Sequence, residues 1–477
     1  MTTQPLSIKE KIGYSLGDLS ANLVFQTLIT YLAYFYTDIY GLEADDATAI
    51  IFFVGTAAAI GFNPIVGALA DRTNSKWGKF RPWILWTAIP LGVTSVLAFT
   101  TPDFSYNGKV IYAVITYTLL LLLYAGSNLP YSALSGVITG DMKERNSISA
   151  YRFVAVMFAQ FFVQVFMLPI IMYAGDGDKA MGIEITMTWL AVVGTILLLI
   201  TFITTKERIV PTQEQSSSLL EDIKDLIKNI PWVIMLTVTT LLFITLSMKG
   251  GAYVYYFENY VSKNSLSDFI SPILDFLSTI GIDFFGNDPV SAGFGLFNAG
   301  GIIFMIIGIG LSKMLADRYG KRNVFGFFLF ISTLFILVFY MLSPESIGLI
   351  FGAQIFHGFF YGITIPLLWA MIADVADYSE WKNNRRATAI IFSAMMVGLK
   401  LGLSIGGALV AQILGNYGYE PNIALEQTES AILGIKMLVS LYPSIPFLLA
   451  TGLLFFYVID KNLEDKIEED LSQRRKN

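Results

Sequence analysis

Long apolar stretches dominate the chain. A bilayer core about 30 Å thick needs about 20 apolar residues in a helix that rises 1.5 Å per residue. Twelve stretches meet that length, near 12–40, 45–70, 81–100, 109–138, 149–174, 184–204, 231–261, 289–313, 322–342, 345–374, 386–415 and 431–459. Several exceed the minimum, which implies tilt or extension past the bilayer. The pattern predicts an all-α membrane protein with twelve transmembrane helices. The polar stretch Thr205 to Asn229 sets six spans on each side of it. The chain therefore divides into 1–204, a linker at 205–230, 231–459 and a tail at 460–477. Within the linker, Leu219, Leu220, Ile223, Leu226 and Ile227 have helical spacing. They fit an interfacial helix or a solvated linker with a short helix equally well. A second amphipathic piece, Leu266 to Ile282, follows span seven and is read as filling space rather than capping a vestibule.

Charge sets the orientation. With both termini cytoplasmic, the inner segments hold 24 of the 31 Lys and Arg, and the outer loops hold only Lys109, Lys179 and Lys263. That asymmetry follows the positive-inside rule. The composition, 55% hydrophobic and 14% charged, lies far from the roughly 25% charge of soluble domains. Cysteine is absent and histidine occurs once, as His357, so disulfides, thiolate metal sites and His-rich metal sites are excluded. Met1 to Lys11 is polar and the apolar run after it is too long for a secretory signal. No Walker loop is present, and no enzyme signature appears. Neither a cofactor nor a nucleic-acid partner is expected; the lipid bilayer and a small solute are. The expected location is the plasma (inner) membrane, as a multi-pass monomer.

The two halves repeat each other. Leu69-Ala70-Asp71-Arg72 followed by Gly78-Lys79 comes after span two, and Leu315-Ala316-Asp317-Arg318 followed by Gly320-Lys321-Arg322 comes after span eight. Duplicated bundles of this kind bind substrate near the midplane. An Asp at an inner helix end accepts from backbone N–H groups or pairs with Arg, and so can close an inner mouth. Asp141, Glu144 and Arg145 after span four, and Asp374, Asp377, Glu380, Arg385 and Arg386 after span ten, read as further gate ion pairs.

Charged and amide groups inside the spans mark the candidate site, because an ionised side chain at a helix centre costs about 2.5–3.5 kcal/mol on insertion scales. Lys400 lies roughly 20 Å from the inner end of span eleven, with Ser393 and Ser404 on its face. Asp18, Asn22 and Gln26 form a stripe along span one. Tyr124, Asn128 and Ser132 line span four, and Arg152, Gln160 and Gln164 line span five. Snorkelling to an interface is the plain alternative for Lys400 and Arg152. His357 reads as a helix-packing histidine bonded to a neighbour in preference to a proton relay. A hollow of Asp, Asn, Gln, Arg and Tyr suits a polyhydroxylated ligand, since it offers acceptors, donors and aromatic faces together.

Further strings narrow the reading: Gly13-Tyr14-Ser15-Leu16-Gly17-Asp18, Asn63-Pro64-Ile65-Val66-Gly67, Trp77-Gly78-Lys79-Phe80-Arg81-Pro82-Trp83, Asn128-Leu129-Pro130-Tyr131, and Asp374-x-x-Asp377-Tyr378-x-Glu380. Together with the repeated loops they resemble the glycoside–pentoside–hexuronide:cation symporters of the major facilitator superfamily, over nearly the whole chain. The resemblance implies two six-helix bundles and alternating-access transport of a sugar, glycoside or uronide with H⁺, Na⁺ or Li⁺. It implies that Asp18 and Arg152 contact sugar, that Tyr124 and Asn128 lie in the same cavity, and that Lys400 lies near the cation site; the spacing of the span-one stripe puts Asn22 on the face expected to line that cavity. The family places two cation-binding carboxylates in span two; here those positions are Ala59 and Asn63. A Thr of that site is Ala125 here. Coupling to H⁺ through Asp18 and Lys400, with Asn63 at the altered cation position, is therefore expected in preference to Na⁺. A uniporter, a carrier of lipid-like or amphipathic solutes, and a non-transporting sugar sensor are the other readings.

Overall fold

The computed structural model describes residues 6–139, 142–208, 228–281, 285, 288–383, 388–421 and 427–474. Among them every regular element is helical. In chain order the α-helices are α1 (Ile8–Tyr34), α2 (Ala44–Ala57), α3 (Asn63–Arg72), α4 (Arg81–Leu97), α5 (Tyr106–Ile138), α6 (Met142–Ala174) and α7 (Lys179–Thr204). They continue as α8 (Ile230–Asn259), α9 (Lys263–Thr279), α10 (Pro289–Tyr319), α11 (Lys321–Val338), α12 (Ile347–Asn383) and α13 (Thr388–Asn416). The last are α14 (Glu429–Val439), α15 (Leu441–Leu453) and α16 (Lys461–Arg474). Ten helical segments of the described residues are long and apolar enough to cross a membrane. The other two predicted spans fall on α1 and α4. The first half of α1 carries Lys9, Glu10, Lys11 and Asp18, and α4 is 17 residues long. Large apolar side chains such as Phe53, Trp189, Ile203 and Phe455 stand exposed, as lipid-facing surfaces require. The amphipathic stretch of the predicted linker lies outside the described residues.

Two compact units form. One comprises Met1–Glu214 with Pro272–Gly295; the other comprises Gln215–Ser271 with Leu296–Asn477. In the first, α1 packs along α6 and α7, and α4 packs against α5 and α7. Ser7 caps α1 by accepting from the Glu10 N–H at 3.2 Å, which satisfies an otherwise orphaned donor. Two helices widen to i→i+5 bonding, at Phe35–Ile39 and at Ala58–Phe62; such turns break regular helix geometry. In the second unit α8 packs on α13, α14 and α15, while α11 packs on α12 and α15. Glycines let α10 and α12 touch backbone to backbone: Gly308 faces the Phe359 carbonyl and Gly358 faces that of Gly301. The amphipathic piece after span seven is α9, whose start packs on α12 through Phe269 and Phe351, with centroids 5.2 Å apart.

The repeated loops have repeated geometry. Gly78 (φ 108°) and Gly320 (φ 82°) both take the left-handed conformation that side chains disfavour. The Arg81 Nη2 at the start of α4 donates to the Phe202 carbonyl near the end of α7 at 2.6 Å. In the other unit the Arg322 Nη1 at the start of α11 donates to the Tyr457 carbonyl beyond α15 at 2.9 Å. Glu207 accepts from the N–H groups of Lys79, Phe80 and Arg81 at 2.8–2.9 Å, an anion at a helix N-terminus.

Candidate functional site

The polar stripe of α1 meets α6 and α5 inside the first unit. The Arg152 Nε donates to the Asp18 Oδ2 at 2.8 Å, with the two side chains 27% and 8% exposed. Asn22, one turn along α1, donates to the Asp18 carbonyl at 2.9 Å and to its Oδ1 at 3.4 Å. The guanidinium lies over two stacked rings, 5.3 Å from the Tyr131 centroid and 5.7 Å from that of Tyr14. A cation above such faces is attracted by their quadrupole. The ring pair itself is locked. Tyr14 and Tyr131 stack at 4.6 Å; the Tyr14 hydroxyl donates to the Tyr131 carbonyl at 3.0 Å, and the Tyr131 hydroxyl donates to the Tyr14 carbonyl at 2.8 Å. Gly17 makes room for it, because a Cβ there would stand 2.5 Å from the Tyr131 ring.

This support holds Arg152 by Nε and by its π face. Among the described residues its terminal nitrogens meet no acceptor in the protein. Tyr124 stacks on Phe25 at 6.4 Å, which adds an aromatic surface further along α1 and α5. Gln164 donates to Gln26 at 3.5 Å, bridging α6 and α1 one level beyond. The Asn128 side chain makes no hydrogen bond among the described residues, and the residue is half-buried. The site thus offers guanidinium and amide donors, a carboxylate and ring faces, a set matched to hydroxyl groups on a ring.

The other predicted residues fall elsewhere. Asn63 lies beside the widened turn and donates to the Ala59 carbonyl at 3.3 Å. Ala59 is 0% and Ala125 2% exposed, so packed methyl groups occupy two positions where the resemblance implies cation ligands. Lys400 is a half-buried residue of α13 in the second unit, and its carbonyl accepts from the Ser404 hydroxyl at 3.1 Å.

Of the predicted gate residues, Arg145 donates to the Thr139 and Gly136 carbonyls, each at 3.0 Å, and so closes the end of α5. Arg72 is exposed and the Arg318 guanidinium lies 5.2 Å over Tyr319. The Asp317 carbonyl accepts from the Lys461 ammonium. Asp374 pairs with Lys321 at 2.7 Å, and Lys321 also pairs with Glu464 of α16 at 2.7 Å. Asp377 is half-buried on α12. The Asp71 side chain, Asp141 and Arg385 lie outside the described residues. Pairs not anticipated from the sequence tie α1 to its neighbours: Glu10 with Arg208 at 2.7 Å and Lys11 with Glu144 at 2.9 Å.

Sequence reasoning also missed the tyrosine pair and Lys249. Tyr14 and Tyr131 sit four residues before Asp18 and three after Asn128, a spacing that places them on the same helix faces. Lys249 interrupts an apolar helix of 30 residues, the same signal that singled out Lys400.

Residues 13–287 and 276–461 match the family model described as MFS/sugar transport protein. The chain belongs to this family. The resemblance to glycoside–pentoside–hexuronide:cation symporters therefore holds. The inner membrane symporter YicJ of Escherichia coli (strain K12) is 34% identical over 100% of this chain and 97% of its own length. The isoprimeverose transporter of Lactiplantibacillus pentosus is 30% identical over 99% of this chain and 94% of its own. The glucuronide carrier protein homolog of E. coli is 28% identical over 99% and 97%. Among solved structures, a bacterial homolog of the human lysosomal transporter Spinster superposes with TM-score 0.64 at 13% identity, covering 95% of this chain and 98% of that one. The nucleoside transporter NupG gives 0.59 at 14% identity over 95% and 100%. These structures show the fold alone. The family member described here is a multi-pass membrane transporter and not an enzyme.

Proposed function

We propose that this transporter carries a glycoside, pentoside or uronide across the plasma (inner) membrane in symport with H⁺, by alternating access. One observation carries the reading: Asp18 and Arg152 are paired over the Tyr14–Tyr131 stack with the guanidinium ends still able to donate. Asn22, Tyr124 and Asn128 complete the proposed sugar surface, and Lys400 is the proposed coupling residue of the second unit. The named substrates of the relatives, isoprimeverose and glucuronide, support the solute class. The packed Ala59 and Ala125 support H⁺ over Na⁺, because Na⁺ needs oxygen ligands that alanine lacks. A lipid-like solute fits this polar lining poorly.

The proposal includes twelve spans in two six-helix halves, 1–204 and 231–459, both termini cytoplasmic, acting as a monomer. Gate roles are proposed for Asp71, Arg72, Asp141, Arg145, Asp317, Arg318, Asp374, Asp377 and Arg385. Counterflow of labelled glycosides in proteoliposomes, with and without a pH gradient, tests the reading. Saturable exchange and accumulation driven by an inward H⁺ gradient are expected; uptake indifferent to both H⁺ and Na⁺ gradients rejects symport.

A further inference from the structure

A second polar cluster lies wholly within the other unit. Lys249 of α8, His357 of α12 and Ser332 of α11 are 6%, 4% and 0% exposed. The Lys249 ammonium nitrogen contacts the His357 Nε2. On the far side of the ring, Nδ1 lies 2.8 Å from the Ser332 hydroxyl and 3.1 Å from the Ser332 carbonyl. The same hydroxyl lies 3.4 Å from the His357 carbonyl. At 1.5 Å per residue, Lys249 is about 15 Å from the Asn259 end of α8, and His357 about 15 Å from the Ile347 end of α12. Both are thus deep within spans.

Two basic nitrogens in contact, with no carboxylate beside them among the described residues, are an uncommon arrangement inside a bilayer. The ionisable groups on the surrounding helices include Tyr253, Tyr255 and Tyr256 on α8, Tyr361 on α12, Lys400 on α13, Lys436 on α14 and Tyr442 on α15. Tyr253 lies 5.5 Å under the Lys249 ammonium and donates to Gln354 at 3.1 Å; Tyr361 stacks on His357 at 5.9 Å. The carboxylates of those helices sit at helix ends. Glu258 is about 13 Å along α8 from Lys249, and Asp374, Asp377 and Glu380 are about 25 Å or more along α12 from His357; Glu429 opens α14 and Asp317 ends α10. Lys321 and Arg322 begin α11, about 15 Å or more from Ser332.

We propose that Lys249 and His357 form a binding site for one transferable proton, the H⁺ that the carrier takes up and releases. The proposal deepens the symport reading and rests on it. Protons on both facing nitrogens would oppose each other, so the contact holds one proton between Nζ and Nε2. With the site loaded, the Lys249 ammonium donates to Nε2, Nδ1–H donates to the Ser332 carbonyl, and the Ser332 hydroxyl turns to the His357 carbonyl. On release one proton passes from Nζ to Nε2 and the Nδ1 proton leaves to water, so a neutral amine accepts from Nε2–H while the Ser332 hydroxyl donates to Nδ1. Ser332 offers a donor and an acceptor to the same ring nitrogen, so both tautomers are fully bonded. Ser332 is a positioning residue here; it lets the ring change state without leaving an unmet polar atom.

His357 is the single histidine of the chain, which makes a direct test possible. The full-length protein, labelled with ¹⁵N-histidine and purified on a histidine-free tag, is placed in lipid nanodiscs. Ring ¹⁵N shifts are then followed over the accessible pH range. The expected result is a change of tautomer with pH, displaced by about one pH unit or more in Lys249→Gln, since the lysine sets which ring nitrogen carries the proton. A ring whose shifts stay constant in the wild type, or whose titration is unmoved by Lys249→Gln, overturns the proposal. In proteoliposomes, His357→Gln is expected to lower pH-driven accumulation at least tenfold relative to counterflow in the same vesicles; an unchanged ratio overturns it. Failure of the wild type to exchange any glycoside would strike the sugar reading instead, and the ring titration would still decide the proton site.

Discussion

Arg152 grips Asp18 through Nε alone, at 2.8 Å, while its guanidinium plane rests on Tyr131 and Tyr14. Breaking a buried pair by removing one partner costs about 3–5 kcal/mol. Asp18→Asn keeps the shape and removes the charge. It is expected to weaken glycoside binding at least tenfold, read by calorimetry on purified protein. Arg152→Gln is expected to do the same, and the double variant to lose less than the sum, since the two act as a unit. Affinities within twofold of wild type for both single variants would place the sugar elsewhere.

The second prediction concerns the ion. With Ala59 and Ala125 packed where carboxylate and hydroxyl ligands would be needed, replacing Na⁺ by choline should leave uptake unchanged within about twofold at fixed pH. Uptake that rises saturably with Na⁺ would require oxygen ligands from other residues.

Gly78 and Gly320 occupy equivalent turns, yet their surroundings differ. A Cβ at Gly78 would come within 2.5 Å of the Glu207 carboxylate oxygens, whereas one at Gly320 would meet the Lys461 Cβ at 3.1 Å. Both substitutions to Ala carry a left-handed backbone penalty of about 1–2 kcal/mol. Gly78→Ala should therefore lower the melting temperature in detergent more than Gly320→Ala. Glu207→Ala should also lower it, because three N–H groups at the start of α4 lose their acceptor.

Lys321 stands between Asp374 and Glu464. Removing it leaves two carboxylates facing each other without a cation. Lys321→Met is thus expected to loosen α16, and trypsin should cut at Lys461 and Lys466 several times faster than in wild type. Equal cleavage rates would mean that the Trp381 indole N–H to Asp470 bond of 2.8 Å and the Arg474 contact with the Trp381 carbonyl at 3.1 Å hold the helix unaided.

Helical membrane character and the duplicated loops were legible because span length and turn glycines are local properties. The Asp18–Asn22–Gln26 stripe was legible for the same reason: spacing alone puts it on one face. Which groups pair across helices was not. Arg145 reads as part of a loop of ion pairs from its neighbours in sequence; its bonds to the Thr139 and Gly136 carbonyls at the end of α5 are not written there. His357 reads as a packing histidine bonded to a neighbour, and it is buried and bonded; that the neighbours are Ser332 and Lys249, 108 positions away, was not legible. Tyr14 and Tyr131 give no polar signal, since each spends its hydroxyl on the other's main chain.

That reciprocal clasp has a mechanical meaning. With each ring hung from the opposite backbone, α1 and α5 cannot slide past one another at that level without losing both bonds and the stack at once. Any conformational swing must carry the two helices as one lever. The bending is then left to the places where regular winding is already relaxed, Phe35–Ile39 at the end of α1 and Ala58–Phe62 between α2 and α3.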